Sequence, residues 1–96
     1  MVNYKSIKLS PGLYFVSTPI GSARDITLRS LDILANADVL AAEDTRTLKK
    51  LLEIHGIQLK NRSLISYHDH NGIKARPKLL AHLENGKSVA YASEAG

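Results

Sequence analysis

The chain has no cysteine and no tryptophan among its 96 residues, and only one phenylalanine, four tyrosines and three prolines. Without cysteine there can be no disulfide, no thiolate metal site and no cysteine nucleophile, a composition that fits a reducing, cytoplasmic setting. No apolar stretch approaches the roughly 18 residues that a membrane span requires, and the N-terminus shows no signal-peptide core. Phosphate-cradling and dinucleotide-binding glycine patterns are both absent. Aromatic residues are too sparse for a broad base-stacking platform, Tyr67 being the only one expected at a strand tip. The chain does have 44% hydrophobic and 23% charged residues with a formal charge of +4, an ordinary globular balance with a mild attraction for polyanions. Its length sets one small domain that buries only about 60–65% of its unfolded surface.

Four short apolar runs each give way abruptly to a polar or glycine-containing tip. Leu13–Val16 runs into Ser17-Thr-Pro-Ile-Gly21, and Val39–Ala42 into Glu43-Asp-Thr-Arg46. Leu64–Tyr67 runs into His68-Asp-His-Asn71, and Val89–Ala92 into Ser93-Glu-Ala-Gly96. Three segments of helical periodicity lie between them. This alternation predicts an α/β fold with an open, mainly parallel sheet, whose ligands bind at the carboxyl ends of the strands.

The expected strands are Leu13–Thr18, Val39–Ala42, Leu64–Tyr67 and Val89–Ala92, the second apolar on both faces as a central parallel strand should be. Asp25 is the expected cap of the first helix, with Ile26, Leu28, Leu31 and Leu34 inward and Asn36 closing it. Asp44 or Thr45 caps the second, where Leu48, Leu51, Leu52 and His55 share a face and Gly56 follows the end. The third carries Leu79, Leu80 and Leu83 inward, with Pro77 tolerable only in its first turn and Gly86 beyond its end. Residues 1–10 read as a flexible basic leader. An uncovered sheet edge is a liability, so residues 1–96 are expected to be one α/β domain within a longer protein rather than a complete one.

Each tip has a chemical and a plain structural reading. Pro19 and Gly21 offer a rigid turn and a close backbone approach, or simply a connection. Glu43 and Asp44 could move a proton, hold a cation or hold a ribose hydroxyl, with Arg46 on a phosphate or carboxylate; alternatively Asp44 is a helix cap and Glu43 pairs with Arg46. His68 could act as a base or contact RNA, but alternating residues of an extended segment point opposite ways, so His68-x-His70 is weak as a metal pair and no metal is expected. Ser93-Glu-Ala-Gly96 has the composition of a loop folded around a cofactor. Seven cations, Lys49, Lys50, Lys60, Arg62, Lys74, Arg76 and Lys78, crowd the middle of the chain and form either a nucleic-acid face or merely wet helix surfaces.

The ordered strings Leu13-Tyr-Phe-Val-Ser-Thr-Pro-Ile-Gly21, Ile26-Thr-Leu-Arg29, Ala41-Ala-Glu-Asp-Thr-Arg46, Leu64-Ile-Ser-Tyr-His68 and Ser88-Val-Ala-Tyr-Ala-Ser-Glu-Ala-Gly96 resemble the amino-terminal domain of the ribosomal RNA small subunit methyltransferase I family, in the tetrapyrrole methylase superfamily. The resemblance implies methyl transfer from S-adenosylmethionine to the ribose 2′-hydroxyl of a cytidine in small-subunit ribosomal RNA, by a cytoplasmic two-domain homodimer. It implies cofactor contacts from Pro19, Gly21, Ser93, Glu94, Ala95 and Gly96, and a substrate side made of Thr45, Arg46, His70 and Asn71. Glu43, Asp44 and His68 are the candidate catalytic groups. Two positions depart from the family's usual string: Ser22 stands where Asn is common, and Glu94 where Asp is common.

Two competing functions remain at this point. One is a relative that methylates a tetrapyrrole carbon, against which stand the Glu43–Arg46 tip and the basic middle third. The other is a non-catalytic RNA-binding half-protein. A receiver-like signalling domain would need acids after its first strand, where this chain has Thr18-Pro-Ile-Gly21.

Overall fold

A computed structural model describes residues 4–19, 21–68 and 70–94. Strands β1 (Gly12–Thr18), β2 (Val39–Ala42), β3 (Ser63–Ser66) and β4 (Ser88–Glu94) alternate with helices α1 (Leu28–Asn36), α2 (Thr45–Ile54) and α3 (Gly72–Glu84). All strand pairs are parallel, and the order across the sheet is β1-β4-β2-β3. The expected α/β architecture with an open parallel sheet is therefore observed.

Alternate residues of β2 show how the layers divide. Leu40 and Ala42 pack with Leu31 and Leu34 of α1 and Leu48, Leu51 and Leu52 of α2. Val39 and Ala41 join a second cluster with Leu79 of α3 and Val89. Successive side chains of a strand point to opposite faces, so α1 and α2 cover one face and α3 the other. The chain steps one way across the sheet from β1 to β2 to β3, then returns past β2 to β4. A right-handed crossover travelling backwards must use the opposite face, which is why α3 stands alone.

Helix ends set which residues face inward. Thr27, not Asp25, caps α1: its Oγ1 accepts the Ser30 amide at 3.0 Å. The Asp25 amide instead closes a turn onto the Ser22 carbonyl at 3.1 Å. Starting the helix later puts Leu28 on the outer side of the first turn, 63% exposed, whereas Leu31 and Leu34 are buried as expected. Asp44 caps α2, accepting the amides of Arg46 and Thr47. Gly56 then takes φ 71°, the left-handed conformation that ends a helix most cheaply in glycine.

Helix α3 starts early enough to put Pro77 beyond the first turn. The donor that Pro77 lacks would have gone to Ile73, which is 87% exposed and open to water. Leu79 is buried and Leu83 packs against the same cluster, but Leu80, expected inward, is 51% exposed.

Residues 4–10 of the leader carry neither helix nor strand but touch α1. Lys5 N–H donates to Asp32 Oδ1 at 2.7 Å, Ile7 N–H to Asn36 Oδ1 at 3.1 Å, and Asn36 Nδ2 to the Lys5 carbonyl at 2.6 Å. At the same lower end of the sheet, Arg62 donates to the carbonyls of Leu34 (2.6 Å), Ala37 (3.1 Å), Leu59 (3.1 Å) and Gln58 (2.8 Å). Asp38 and Ser88 lock the starts of β2 and β4. Asp38 Oδ2 accepts the Ser88 amide (2.9 Å) and hydroxyl (3.0 Å), and Ser88 Oγ accepts the Asp38 amide (2.9 Å).

Candidate functional site

Three of the four strand tips meet in one cleft of about 220 Å³ on the α1/α2 side of the sheet. Thr18, Pro19, Gly21 and Ala23 come from the end of β1, Ala42, Glu43 and Asp44 from the end of β2, and Ala92 and Glu94 from β4. Helix α2 supplies the remaining wall through Thr47, Leu48, Lys50, Leu51 and Ile54. The floor is apolar and the rim carries three carboxylates.

Local bonds hold this shape. Thr18 is buried and its Oγ1 donates to the Ser93 carbonyl at 3.0 Å, joining the first tip to the fourth. His55 Nε2 donates to the Ala23 carbonyl at 2.7 Å, tying the loop after β1 to the end of α2. Ser22 Oγ accepts the Arg24 amide at 3.3 Å. A serine hydroxyl and an asparagine carbonyl make this kind of turn alike, so Ser22 can do the local work of the more usual asparagine. Gly21 has φ 91°, and a Cβ there would meet no atom of the other described residues within 4 Å, its chain neighbours aside. Its missing side chain leaves cleft space clear.

Glu43 and Asp44 differ although they are neighbours. The Asp44 carboxylate is held below the usual range, chiefly by the Thr47 and Arg46 amides that it caps. Arg46 Nε lies 3.5 Å from Asp44 Oδ1, and the Arg46 side chain is 92% exposed. Asp44 thus resists protonation, and its Oδ1 is committed to the helix. Glu43 is exposed at the cleft, and among the described residues no hydrogen bond or ion pair reaches its carboxylate.

The third tip stands apart. His68, His70 and Asn71 do not line the cleft. His68 N–H donates to Asn71 Oδ1 at 2.7 Å, Asn71 Nδ2 to the Ser66 carbonyl at 2.7 Å, and His70 N–H to His68 Nδ1 at 3.1 Å. Asn71 is therefore a loop brace, and the amide on His68 Nδ1 occupies the lone pair that a base would use. Among the described residues no three His, Asp or Glu converge as a metal site.

The helices leaving β2 and β3 lie on opposite faces, so the crevice between these two strand ends is the topological switch point of the sheet. The Glu43–Arg46 tip forms one lip and the His68–Asn71 loop the other. Glu43 and Asp44 face the cleft as well, a shared position that strand spacing alone did not reveal. Thr45 is the first residue of α2 and, like Arg46, lies outside the cleft lining. Ser93 contributes its carbonyl bond, whereas Ala95 and Gly96 fall outside the described residues.

Cleft chemistry suits a cationic nucleoside-like ligand: small apolar side chains can face a base, and carboxylates can take hydroxyls or an ammonium group. Comparison with known proteins gives the family. The chain is 52% identical over 88 residues to "Ribosomal RNA small subunit methyltransferase I" of Mesorhizobium japonicum, covering 92% of this chain and 29% of that protein. Proteins of the same name from Bacillus subtilis (44% over 84 residues; 88% and 28% covered) and Escherichia coli O157:H7 (44% over 97 residues; 100% and 33%) are similar to it too. The chain spans about a third of the length of the curated relatives it matches. A family model described as "Tetrapyrrole (Corrin/Porphyrin) Methylases" matches residues 12–96, all four strands and three helices included, and the chain belongs to that family.

Proposed function

We propose that this chain is the amino-terminal part of a two-domain, S-adenosylmethionine-dependent methyltransferase that acts on the ribose 2′-hydroxyl of a cytidine in small-subunit ribosomal RNA, as a cytoplasmic homodimer. The observation that carries the reading is the cleft in which Pro19, Gly21, Glu43, Asp44 and Glu94 converge. Its 220 Å³ falls below the roughly 300–1,000 Å³ of a complete small-molecule site, as expected if a second domain supplies the opposite wall. The names of the relatives support ribosomal RNA over a tetrapyrrole as substrate.

Pro19, Gly21 and Glu94 would hold the cofactor, with Ala42, Ala92 and Leu51 against its base. When bound, S-adenosylmethionine supplies a sulfonium methyl open to in-line attack. The protein's share is to align the ribose oxygen, exclude water and relieve that oxygen of its proton. Of the three candidates, Glu43 fits this last role best. Asp44 is committed as a cap with a depressed pKa, and His68 uses Nδ1 within its own loop. Glu43 sits where the cofactor cleft meets the switch-point crevice, the place where substrate oxygen and methyl group would have to meet.

The test uses the full-length protein, labelled S-adenosylmethionine and small-subunit ribosomal RNA, with nucleoside analysis of the product. Appearance of 2′-O-methylcytidine, and its loss by at least about 100-fold in Glu43→Gln with cofactor affinity retained, is the expected result. Methylation of a tetrapyrrole carbon and not of RNA would reject the reading. Arg46→Ala is expected to lower RNA methylation while cofactor affinity stays intact.

A further inference from the structure

We infer that the RNA backbone reaches the cleft across the outer face of α2, on Arg46, Lys49 and Lys50, and not across the basic start of α3. The inference rests on the reading of the protein as an RNA methyltransferase and adds the route by which its substrate enters.

The middle of the chain is rich in cations, and the fold sorts them into different places. Arg62 spends its guanidinium on four backbone carbonyls. Lys60 lies beside Arg62 and Asp38 at the opposite end of the sheet from the strand tips. Lys74, Arg76 and Lys78 belong to α3, on the face that the cleft does not use, and Arg76 Nε donates to Tyr67 Oη at 3.2 Å. Lys49 and Lys50 remain, and with Arg46 they follow helical spacing of three and four residues, which brings them to one side of α2.

That side is a shallow groove lined by Arg46, Lys49, Lys50, Glu53 and Ile54. Lys50 and Ile54 line the cleft too, so groove and cleft share a border. Among the described residues Lys49 and Lys50 have no ion-pair partner, and Arg46 has only the loose, solvent-exposed approach to Asp44. Ile54 is 56% exposed, an apolar contact at the groove's end suited to the face of a base or sugar.

Charge separates the two compartments. The cleft sets Glu43, Asp44 and Glu94 against Lys50 alone and so repels phosphate on balance, whereas the groove sets Arg46, Lys49 and Lys50 against Glu53 alone and attracts it. A polynucleotide meeting this surface would keep its phosphates on α2 and pass only an uncharged nucleoside inward. Phosphate contacts of this kind fix position and register without reading sequence. The first turn of α2 adds the positive end of the helix dipole.

The experiment measures binding of a labelled single-stranded small-subunit ribosomal RNA transcript to the full-length protein across a salt series. Arg46→Gln/Lys49→Gln is compared with Lys74→Gln/Lys78→Gln. None of these four residues lines the cleft, so S-adenosylmethionine affinity serves as the check on folding. The α2 pair is expected to raise the RNA Kd by about 10-fold near 0.1 M salt and to reduce the slope of log K against log salt by about 1.5, for two lost phosphate contacts. The α3 pair should change Kd by less than about 2-fold. Unchanged affinity and slope in the α2 pair, or transfer of the loss to the α3 pair, overturns the route while leaving the methyltransferase reading in place. Failure of the unmutated protein to bind or methylate the RNA overturns both.

Discussion

Replacing Arg62 should unfold this protein more readily without touching its chemistry. The guanidinium bridges the last turn of α1 to the α2–β3 connection through the carbonyls of Leu34, Ala37, Gln58 and Leu59. Partial burial pushes its pKa down from the ordinary value, but an arginine stays charged in a protein. A cation at the C-terminal end of α1 also meets the negative end of the helix dipole. Leu34 and Ala37 are almost fully buried, so their carbonyls have little access to replacement water.

Arg62→Met keeps much of the side-chain stem and removes every donor. Two shielded acceptors left unpaired cost about 1–2 kcal/mol each, so the variant should lose about 2–4 kcal/mol. A domain of this size holds only about 5–10 kcal/mol in total. At about 4–8 °C per kcal/mol, the melting temperature should fall by about 8–32 °C, readable by calorimetry or circular dichroism. Arg62→Lys brings a point charge that cannot span four carbonyls, and should recover less than half of the loss. A melting temperature within about 2 °C of the parent in Arg62→Met would refute the reasoning, as would an RNA salt slope lowered by that variant at a temperature where it is folded.

Three other outcomes follow from particular bonds. Asp38 has its pKa lowered mainly by the Ser88 amide, against some desolvation, with further help from the Ser88 hydroxyl. Its folded pKa thus lies below its unfolded one, so its contribution is present above about pH 4 and lost as pH falls through the folded value; the gap in urea midpoint between the parent and Asp38→Asn should close on acidification. Asp44→Asn should keep the α2 cap and nearly the parent melting temperature, whereas Asp44→Ala should lower it; equal melting of the two would deny the cap. His55→Phe breaks the bond to the Ala23 carbonyl. It should speed hydrogen exchange in the 21–27 loop and weaken S-adenosylmethionine binding by a few-fold, while exchange in β2 and β4 stays slow.

Much of the fold was legible because burial leaves a direct mark on sequence. Val39–Ala42 is apolar at every position, as only a strand covered on both faces can be, and β2 is indeed flanked by β4 and β3. Helix phase was harder to read where two residues could cap. Asp25 and Thr27 are both good caps, and the choice fell to Thr27 because Ser22 and Asp25 close a turn of their own. That two-residue difference turned Leu28 outward. The role of Arg62 was illegible because nothing local marks a cation whose partners lie up to 28 residues away. Asn71 looked like a ligand contact for a different reason: its partners, the Ser66 carbonyl and the His68 amide, are near in sequence but meet its side chain only once the loop has closed.

The least legible property, strand order, matters most for function. Spacing along the chain places all four tips at one end of the sheet but says nothing of who stands beside whom. With order β1-β4-β2-β3, the first and fourth tips are neighbours, which supports the cofactor role proposed for both, and the second is next to the fourth. The third is separated from the cleft by β2 and sends its helix to the other face. A division of the tips into one pair for cofactor and one for substrate must therefore pass through the second tip, which borders both sides. Within that tip the backbone amides of α2 claim Asp44, and the outer helix face claims Arg46. Among the described residues Glu43 is the carboxylate that the fold leaves without a bond at this boundary, and its proposed role as the base rests on that position.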